Sequence, residues 1–437
     1  MGLQAGTGRR DITNRKPLFL VGYPHVERTS EGIHDPLYAT ALYLSDGVSE
    51  VLSIAVDILF VDHTTARHCR EAISARTGIP AAHILISATH THSGPVTCEI
   101  LSWRDDSTVP GADPEYMSRF TEGIIEAGAA AHAAAVDAEL CVTTARTEGV
   151  GGNRLAKDGV RDPEVGVVLV RRRSDRGLLA LQMVYSMHPT VLHEDTKLVS
   201  SDFPHYARVL LEQRFPGMRV LYHNGPCGNL SPRYWVRGQT FAEAKRLGEK
   251  LGRDVLAAVE GVCTSAFSAD VRLGAGTEQV ALPPRTFCSV EEAERELDEA
   301  CAEYERLKRE GAPHGPVRTA ECTVFGAEER VTLARAQERG DTQRILDAYS
   351  PAEVQVLVIG DHCLVGFPGE CFVEYALALK RTCAGVFVIS LANGELQGYI
   401  PTSEATGYEA RLSFFEPEAG DRLVERAAGL VGALRPE

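Results

Sequence analysis

The stretch HILISATHTHSGP, residues 83–95, joins an apolar run to a pair of histidines and a turn. The run His83–Ala88 has the length and the aliphatic content of a short buried strand. Because side chains along a strand alternate with period two, a strand that continues through His90 and His92 places both imidazoles on one side. Two neutral imidazoles at a stiff strand end suit Zn²⁺. Two polar residues in a loop without a metal are the alternative for this pair taken alone.

Alternating strands and helices surround this stretch and decide the fold class. Aliphatic runs predict strands at Ala39–Leu44, Val51–Phe60, His83–Ala88, Glu139–Arg146, Val165–Arg171, Leu178–Ser186, Arg219–Tyr222, Val354–Ile359, Cys363–Phe367 and Val386–Leu391. Helical spacing predicts helices at Thr64–Thr77, Pro114–Ala135, Pro204–Arg214, Phe241–Glu260, Glu370–Arg381 and Asp421–Leu434. Two hairpin turns, Asp46-Gly47 and Gly360-Asp361, make the sheets mixed rather than purely parallel. We therefore expect an α/β fold of mixed β-sheets flanked by helices, in a single domain over residues 1–437.

The segment Ser289–Glu338 differs from the rest because it is highly charged and mostly helical in pattern. A turn-forming stretch at residues 311–316 interrupts it. We interpret the segment as a helical insertion or lid within the domain. Arg285, Arg295 and Arg318 are candidate contacts to an anionic substrate group, although no motif surrounds any of them.

Composition and charge restrict the partners of the chain. With 437 residues, of which 44% are hydrophobic, the chain can bury a large core. Its net charge of -15 argues against nucleic acid and against stable association with an anionic membrane, which leaves a small-molecule substrate. The first residues lack the apolar core of a signal peptide, so we expect a cytoplasmic protein. The sequence leaves the oligomeric state open.

Three further residues of metal-binding type follow predicted strands. His188 lies at the end of an alternating strand that Pro189 stops. Glu370 lies between a predicted strand and a predicted helix, where a helix N-terminus stabilises negative charge, and Glu374 is the competing carboxylate. The phenol of Tyr399 has an ordinary pKa near 10 and becomes an anionic ligand only beside a cation. Each of these residues, taken alone, fits a structural role as well.

Two loops carry groups that can orient or polarise a substrate. Arg154 follows a glycine pair, and its guanidinium fork fits a carboxylate or an oxyanion. Ser231 ends a glycine-rich turn that can present a hydroxyl and backbone N–H groups to a substrate. The turn is not a GxSxG nucleophile elbow, so a serine hydrolase is the weaker interpretation.

In this order the segments resemble the neutral (alkaline, non-lysosomal) ceramidase family. The matching segments are Gly6–Thr13, Gly32–His34, Ser87–Pro95, Asn153-Arg154, Met187–Thr190, Gly228–Pro232, Pro368–Glu370 and Gly398–Thr402. Each motif alone is weak, whereas the ordered set covers most of the chain and is specific. The resemblance implies a metal-dependent hydrolase that acts on a linear amide C–N bond.

The resemblance also implies the roles of individual residues. It implies one Zn²⁺ per chain, with the ligands His90, His188, Glu370 and Tyr399. It implies that His92 lies behind the ligands or faces the substrate and that Arg154 and Tyr408 surround the scissile carbonyl. Ser231 is implied to be either a nucleophile or a substrate-binding group. The expected mechanism is zinc-assisted hydrolysis, in which zinc lowers the pKa of water towards about 7 and His92 transfers the proton.

Departures from the family pattern bear on the substrate. Asn229 occupies a position where the family carries an aspartate, and neither a secretion signal nor a C-terminal β-sandwich is recognisable. We therefore expect a substrate smaller or more polar than ceramide. An esterase, lactonase or acyl transferase at the same site is one alternative. A non-catalytic binding protein is another, against which the intact ligand residues argue, and the ligand set also permits Fe²⁺, Mn²⁺ or Co²⁺.

Overall fold

The computed structural model describes residues 2–435, except for the side-chain surroundings at positions 314, 315 and 318. Its strands are β1 (Gln4–Asp11), β2 (Gly32–Ile33), β3 (Tyr38–Ser45), β4 (Glu50–Val56), β5 (Ile84–Ala88), β6 (Val136–Arg146), β7 (Gly152–Asn153), β8 (Glu164–Arg172), β9 (Leu178–Tyr185), β10 (Leu198–Val199), β11 (Arg219–Asn224), β12 (Leu230–Ser231), β13 (Leu273–Val280), β14 (Ala352–Ile359), β15 (His362–Gly366), β16 (Glu370–Cys371), β17 (Val386–Ile389) and β18 (Tyr399–Ile400). Its helices are α1 (His63–Thr77), α2 (Pro114–Ala133), α3 (Phe203–Arg214), α4 (Phe241–Glu260), α5 (Val290–Arg309), α6 (His314–Glu338), α7 (Asp341–Tyr349), α8 (Val373–Thr382), α9 (Tyr408–Leu412) and α10 (Glu418–Leu434). Over the described residues, none of these helices combines enough length with enough hydrophobicity for a membrane span.

Two sheets carry the fold. The larger has eight strands in the order β11-β9-β8-β6-β1-β3-β4-β5, and the smaller has four in the order β13-β14-β15-β17. The pairs β4 and β5, β9 and β11, and β15 and β17 are parallel. The remaining neighbours within these two sheets are antiparallel. The predicted α/β fold of mixed sheets flanked by helices is confirmed.

The two sheets pack face to face, with helices on the outer face of each. Along β4, Val51 and Ala55 join a cluster shared with the smaller sheet, while Ile54 joins the cluster that contains α1 and α2. Along β15, Leu364 joins the cluster between the sheets, and Val365 faces α8 and α10. Because strand side chains alternate, these strands are buried on both faces and read as continuous aliphatic runs. The result is a four-layered helix–sheet–sheet–helix arrangement.

Twist brings the two edge strands of the larger sheet to the same place. Adjacent strands turn by about 20–25°, so the steps across eight strands rotate the last strand by roughly 160°. β5 and β11 run in formally opposite directions within the sheet. Nevertheless, the Ser87 hydroxyl near the end of β5 lies 2.7 Å from Nδ1 of His223 near the end of β11. The C-terminal ends of β5, β9 and β11 therefore meet at one end of the molecule.

Several observed boundaries differ from the predicted ones. The predicted strand Val51–Phe60 ends at Val56. The predicted helix Glu370–Arg381 begins only at Val373, because Glu370 lies in β16 and its N–H donates to a backbone carbonyl beside β18. β1 and β13 were not predicted, since their glycines and polar residues leave no long aliphatic run.

The charged segment 289–338 folds into two long helices, α5 and α6, joined through a turn at Gly311 with a φ of +63°. The guanidinium of Arg285 donates to a backbone carbonyl of α9, and Arg295 is exposed. The side chain of Arg318 lies outside the described residues. The role of this helical arm as a lid, and the treatment of residues 1–437 as one domain, stay predictions.

Candidate metal centre

His90 lies two residues beyond β5 and is fixed through its backbone. The N–H groups of Thr89 and His90 donate to the carbonyls of Val56 and Ile58 at 2.8 and 2.9 Å. His90 has a φ of +69°, in the left-handed region that residues with a side chain seldom adopt. The predicted strand alternation through His90 and His92 is therefore wrong. β5 ends before His90, and a left-handed turn places the two imidazoles instead.

His188 and Glu370 come from two other strand ends. His188 lies three residues beyond β9, where the Asn224 side chain accepts a hydrogen bond from the Met187 N–H at 3.2 Å. Glu370 lies in β16, which pairs in parallel with β18, so that Glu370 stands opposite Tyr399. The larger sheet thus supplies both histidines, and the chain that leaves β15 of the smaller sheet supplies the carboxylate.

Three metal-binding atoms converge within contact distance of one another. Nε2 of His90 lies 3.0 Å from Nε2 of His188. Oε2 of Glu370 lies 3.2 Å from the first nitrogen and 3.1 Å from the second. All three side chains are at most 5% exposed. Ligands held at about 2.0–2.1 Å with tetrahedral angles stand about 3.4 Å apart, so this spacing approaches that of a coordination sphere.

Neutral imidazoles in this arrangement direct lone pairs towards the centre. Nδ1 of His90 donates to the Leu59 carbonyl at 2.9 Å, and Nδ1 of His188 donates to the Cys227 carbonyl at 2.7 Å. A neutral imidazole that carries its proton on Nδ1 is an acceptor at Nε2. Two acceptor nitrogens and the Glu370 oxygen therefore face one another, which is unfavourable without a cation between them. This donor set fits a divalent metal ion.

His92 adds a third imidazole to the cluster. Its Nδ1 donates to the Gly22 carbonyl at 3.0 Å, and its buried Nε2 has no hydrogen-bond partner among the described residues. Ring nitrogens of His90, His92 and His188 all lie within 4.8 Å of one another, and this group could hold a metal ion. His92 thus brings a free acceptor nitrogen to the predicted ligands.

Burial and neighbouring charges set the protonation states of the cluster. Burial, together with the Arg154 charge, lowers the pKa of His188 from 6.5 to about 4. Burial and the neighbouring imidazoles lower the pKa of His92 well below 6.5. Uncharged imidazoles beside an ionised carboxylate are the forms that bind a metal.

Arg154 lies between the predicted ligand Tyr399 and the acid Glu409. Its guanidinium stands 5.4 Å from the centre of the Tyr399 ring, and its Nε pairs with Glu409 at 2.8 Å. Burial, followed by the Glu370 charge, raises the pKa of Tyr399 above its usual value, so the phenol stays protonated unless a cation stands beside it. The Tyr408 ring lies 6.0 Å from the Tyr399 ring, so both predicted carbonyl-binding groups lie on this side of the cluster.

The turn that carries Ser231 lies beside α8. Ser231 is 6% exposed, stands opposite Gly152 in the β12–β7 pair and accepts a hydrogen bond from the Arg233 N–H at 3.2 Å. Asn229 accepts from the first N–H of α8 at 3.0 Å and donates to both oxygens of Glu374 at 2.8 and 3.1 Å. Glu374, the competing carboxylate, is thus bound by Asn229 rather than by the histidines. An aspartate at position 229 would place its negative charge beside that of Glu374, which explains why an asparagine fits this position.

Three residues that shape the site gave no signal in the sequence. Gly22 has a φ of +118°, and a Cβ there would lie 2.5 Å from Nδ1 of His92. Arg28 is fully buried and donates to the His92 carbonyl. Glu329 is buried on α6 and accepts a hydrogen bond from Tyr408. A glycine in a loop was the one available hint, and it does not identify the side chain that needs the space.

The sequence of the chain is similar to those of known neutral ceramidases. A family model described as neutral/alkaline non-lysosomal ceramidase, N-terminal, matches residues 3–228. The neutral ceramidase of Drosophila pseudoobscura pseudoobscura is 25% identical over 228 residues, which is 48% of this chain and 32% of that protein. The neutral ceramidase of Mycobacterium tuberculosis is 24% identical over 238 residues, which is 50% of this chain and 37% of that protein. The match therefore spans about a third of the length of these relatives.

Solved structures show the same fold over the whole chain. The crystal structure of neutral ceramidase from Pseudomonas aeruginosa superposes with a TM-score of 0.75 at 18% sequence identity, covering 100% of this chain and 76% of that one. A ceramidase complexed with C2 superposes with a TM-score of 0.76, at the same identity and coverage. At this identity the superpositions establish the fold alone, while the family model covers more than half of the sequence.

Proposed function

The chain belongs to the neutral/alkaline non-lysosomal ceramidase family, and from this premise we propose that it is a zinc-dependent hydrolase of N-acyl amide bonds. The observation that carries the proposal is the convergence of the lone pairs of His90 and His188 on the Glu370 carboxylate, 3.0–3.2 Å apart and buried. A divalent cation held between these three atoms would remove the repulsion among their lone pairs. Tyr399, opposite Glu370 in the strand pair, is the proposed fourth ligand.

A metal held by His90, His188, Glu370 and Tyr399 would supply Lewis acidity to the scissile carbonyl and to the attacking water. The residues of the chain perform the remaining steps. His92 is buried, uncharged and free at Nε2, so it can take the proton that water loses as its oxygen bonds to the carbonyl carbon. The same proton then passes to the leaving nitrogen as the C–N bond breaks. Arg154 and Tyr408 donate hydrogen bonds to the carbonyl oxygen as it gains charge.

A substrate that joins a polar group to an acyl chain fits the surroundings of Arg154. Leu155, Val160 and Tyr234 are 47%, 49% and 43% exposed, and the Tyr234 hydroxyl donates to the Arg154 carbonyl at 3.4 Å. These exposed apolar surfaces near Arg154 could accept an acyl chain. The net charge of -15 disfavours an anionic bilayer. We therefore propose a substrate smaller or more polar than ceramide, such as an N-acyl amino acid, met in the cytoplasm without stable membrane association.

Esterase, lactonase and acyl-transferase activities also begin with attack on a carbonyl carbon. Comparing kcat/KM among substrates of each class distinguishes them from amide hydrolysis. The test measures kcat/KM on ceramide, N-acyl amino acids, esters and lactones in detergent-matched buffer, together with the metal content of the purified protein. About one zinc per chain and the highest kcat/KM on a soluble amide are expected. A tenfold preference for ceramide, about 1.4 kcal/mol, would overturn the substrate proposal. Iron, manganese or cobalt at one per chain would overturn the choice of zinc, whereas the proposed ligand set would stand.

A further inference from the structure

The helical arm reaches the candidate site through one face of α6. Glu329 is 1% exposed, and its Oε1 lies 3.1 Å from the Tyr408 hydroxyl. Its Oε2 accepts hydrogen bonds from the Ser102 hydroxyl at 2.8 Å and from the indole N–H of Trp103 at 3.1 Å. Oε2 therefore accepts from two donors, which occupy both of its lone pairs. Oε1 contacts Tyr408 and neither of these two donors.

Gly326 stands one turn before Glu329 on the same face of α6. A Cβ at Gly326 would lie 2.8 Å from Cδ2 of Tyr408, a distance that real side chains essentially never show. Glycine weakens a helix interior, so a glycine at this position is explained by the ring that rests on it. α9, which begins at Tyr408, is only five residues long and has no side-chain cap. The position of Tyr408 is therefore set by α6 as well as by α9 itself.

The hydrogen-bond inventory of a phenol creates a conflict at this contact. A tyrosine hydroxyl has one proton, so Tyr408 cannot donate to an ionised Glu329 and to a substrate oxygen at the same time. A protonated carboxyl resolves the conflict, because its Oε1–H can donate to the phenol oxygen while the phenol proton turns to the substrate. Ser102 and Trp103 already occupy Oε2 as donors, which leaves Oε1 as the oxygen that carries the proton.

We propose that Glu329 is a positioning residue that acts as a hydrogen-bond donor to Tyr408 and thereby directs the phenol proton to the substrate carbonyl. The helical arm is then a fixed wall of the active site. This inference rests on the proposed function, in which Tyr408 donates to the carbonyl oxygen. It adds a residue from the arm that touches no reacting atom and acts through the tyrosine.

The environment of Glu329 supports its protonated form. Burial raises the pKa of Glu329 from 4.5 to about 7, against the hydrogen bonds from Ser102, Tyr408 and Trp103. The charge of Asp106 also raises the pKa of Glu329. Asp106 is itself paired with His25 at 3.3 Å, and His25 also lies 3.3 Å from Glu328 of α6. The carboxyl thus changes its role from donor to acceptor within the pH range in which the protein can be assayed.

The test compares the parent protein with Glu329→Gln, Tyr408→Phe and the double variant between pH 5.5 and 9. Glutamine offers an oxygen to Ser102 and Trp103 and an N–H₂ donor to Tyr408, so it reproduces the protonated carboxyl at every pH. We expect the kcat of the parent to fall above pH 7 and that of Glu329→Gln to exceed it about threefold or more at pH 8.5. We also expect Tyr408→Phe to lose about 100-fold. In the Tyr408→Phe background, Glu329→Gln should change kcat less than twofold.

Glu338→Gln is the matched control, because Glu338 is an exposed acid at the C-terminal end of the same helix, α6. It should keep the pH profile of the parent. The inference is overturned if Glu329→Gln lowers kcat tenfold or more at all pH values, if it keeps the parent's alkaline fall, or if its effect persists in the Tyr408→Phe background. Any of these results would make Glu329 an anchor of the arm only.

A readout without turnover separates this inference from the proposed function. 3-Fluorotyrosine at position 408 gives a ¹⁹F resonance that should shift with a midpoint near pH 7 in the parent and stay constant in Glu329→Gln. If the parent protein hydrolyses no amide but shows this shift, the proposed function is contradicted. The contact between Glu329 and Tyr408 is then still supported. Absence of the shift would overturn the inference whatever the activity. Gly326→Ala should move the resonance at every pH, whereas Gly429→Ala in α10, with open space around its Cβ, should not.

Discussion

The two sides of the candidate site are built in different ways. On the metal side, His90 and His188 follow strand ends, and each imidazole N–H is fixed by a backbone carbonyl at 2.9 or 2.7 Å. On the arm side, Arg154, Tyr408 and Glu329 come from a loop, a five-residue helix and a long helix, and they are held by contacts between side chains. A ligand that the backbone fixes has one position, so its removal should abolish metal binding. A group that side-chain contacts hold can shift slightly, so a substitution there should change the rate by a smaller factor.

A strained segment behind the metal side fits this difference. Leu391, Asn393, Leu396 and Gln397 all have φ between +54° and +58°. Each left-handed non-glycine residue costs about 1–3 kcal/mol and persists only where surrounding contacts impose it. The Asn393 side chain accepts from the Ile86 N–H at 3.0 Å, and the Gln397 side chain accepts from the Leu101 N–H at 2.8 Å. These buried bonds hold the chain that leads into Tyr399.

The largest effect is expected from His90→Ala, which removes a ligand from the backbone-fixed side. We expect loss of the metal and a decrease in kcat/KM by about 10⁴-fold or more, roughly 5 kcal/mol. Elemental analysis and hydrolysis assays measure both quantities. His68→Ala, at an exposed position on α1, is the control and should bind metal as the parent does. Retention of one metal per chain in His90→Ala would show that the ligand set is wrong.

Arg154→Lys tests the side-chain-fixed side and should have a smaller effect. Lysine keeps the charge but loses the planar fork that spans Tyr399 and Glu409. We expect kcat to fall about 10²–10³-fold, roughly 3–4 kcal/mol, with the metal content unchanged. Arg161→Lys, at a largely exposed pair with Glu148, is the matched control. Loss of metal in Arg154→Lys would mean that the two sides are not separate.

The metal side could be predicted from the sequence because its residues stand at strand ends. Apolar runs mark β5 and β9, and a parallel or strongly twisted sheet gathers such ends at one edge. Together with the resemblance to the family, which implies His90, His188 and Glu370 as ligands, these strand ends predicted that the three residues meet. What failed was local geometry, since a left-handed residue at His90 and a strand at Glu370 replace the predicted alternation and helix start.

The arm side could not be predicted in the same way. The contact between Glu329 and Tyr408 joins residues 79 positions apart, and neither lies in a periodic pattern that names its partner. Gly22, whose missing side chain makes room for His92, is similarly remote from it in sequence. Such contacts depend on how loops and helices pack after the sheets have formed, and a single sequence carries no signal for them.

Glu395→Gln tests how a buried carboxyl in the strained segment affects the pH dependence of stability. Burial, opposed by hydrogen bonds from Tyr349 and Gln397, raises the pKa of Glu395 from 4.5 to about 7. The native state therefore binds a proton more tightly than the unfolded chain, and the free energy of unfolding falls as pH rises from about 4.5 to about 7. The limit is about 1.4 kcal/mol per pH unit. Glutamine stays neutral and should remove about 2 kcal/mol of this loss, measured by urea unfolding at pH 5 and pH 8.

The control for this titration is Glu404→Gln, at an exposed position. It should keep the pH dependence of the parent, because an exposed carboxyl differs little between the native and unfolded states. The charge of Asp62 also raises the pKa of Glu395, so the loss of this repulsion is part of the effect that Glu395→Gln measures. An identical pH dependence of Glu395→Gln and the parent would contradict the assigned role of this carboxyl.

Ser231→Ala should give the smallest effect, because Ser231 lies where the two sides meet and belongs to neither. Among the described residues its hydroxyl bonds the Arg233 N–H, and no hydrogen bond joins it to an imidazole that could act as its base. A serine nucleophile needs such a base, whereas a substrate-binding hydroxyl does not. We therefore expect KM to rise about tenfold, roughly 1.4 kcal/mol, with kcat within threefold of the parent.

Intact-protein mass spectrometry during turnover decides between the two roles of Ser231. Attack by water leaves no covalent adduct, so the mass of the protein should stay constant while substrate is consumed. Ser403→Ala, at an exposed position, is the control for loss of a hydroxyl and should leave both KM and kcat unchanged. An acyl adduct on Ser231, or a kcat lowered about 10³-fold in Ser231→Ala with the metal retained, would transfer the nucleophile from water to the serine. The backbone-fixed side would then only polarise the carbonyl, and the division of labour between the two sides would be reversed.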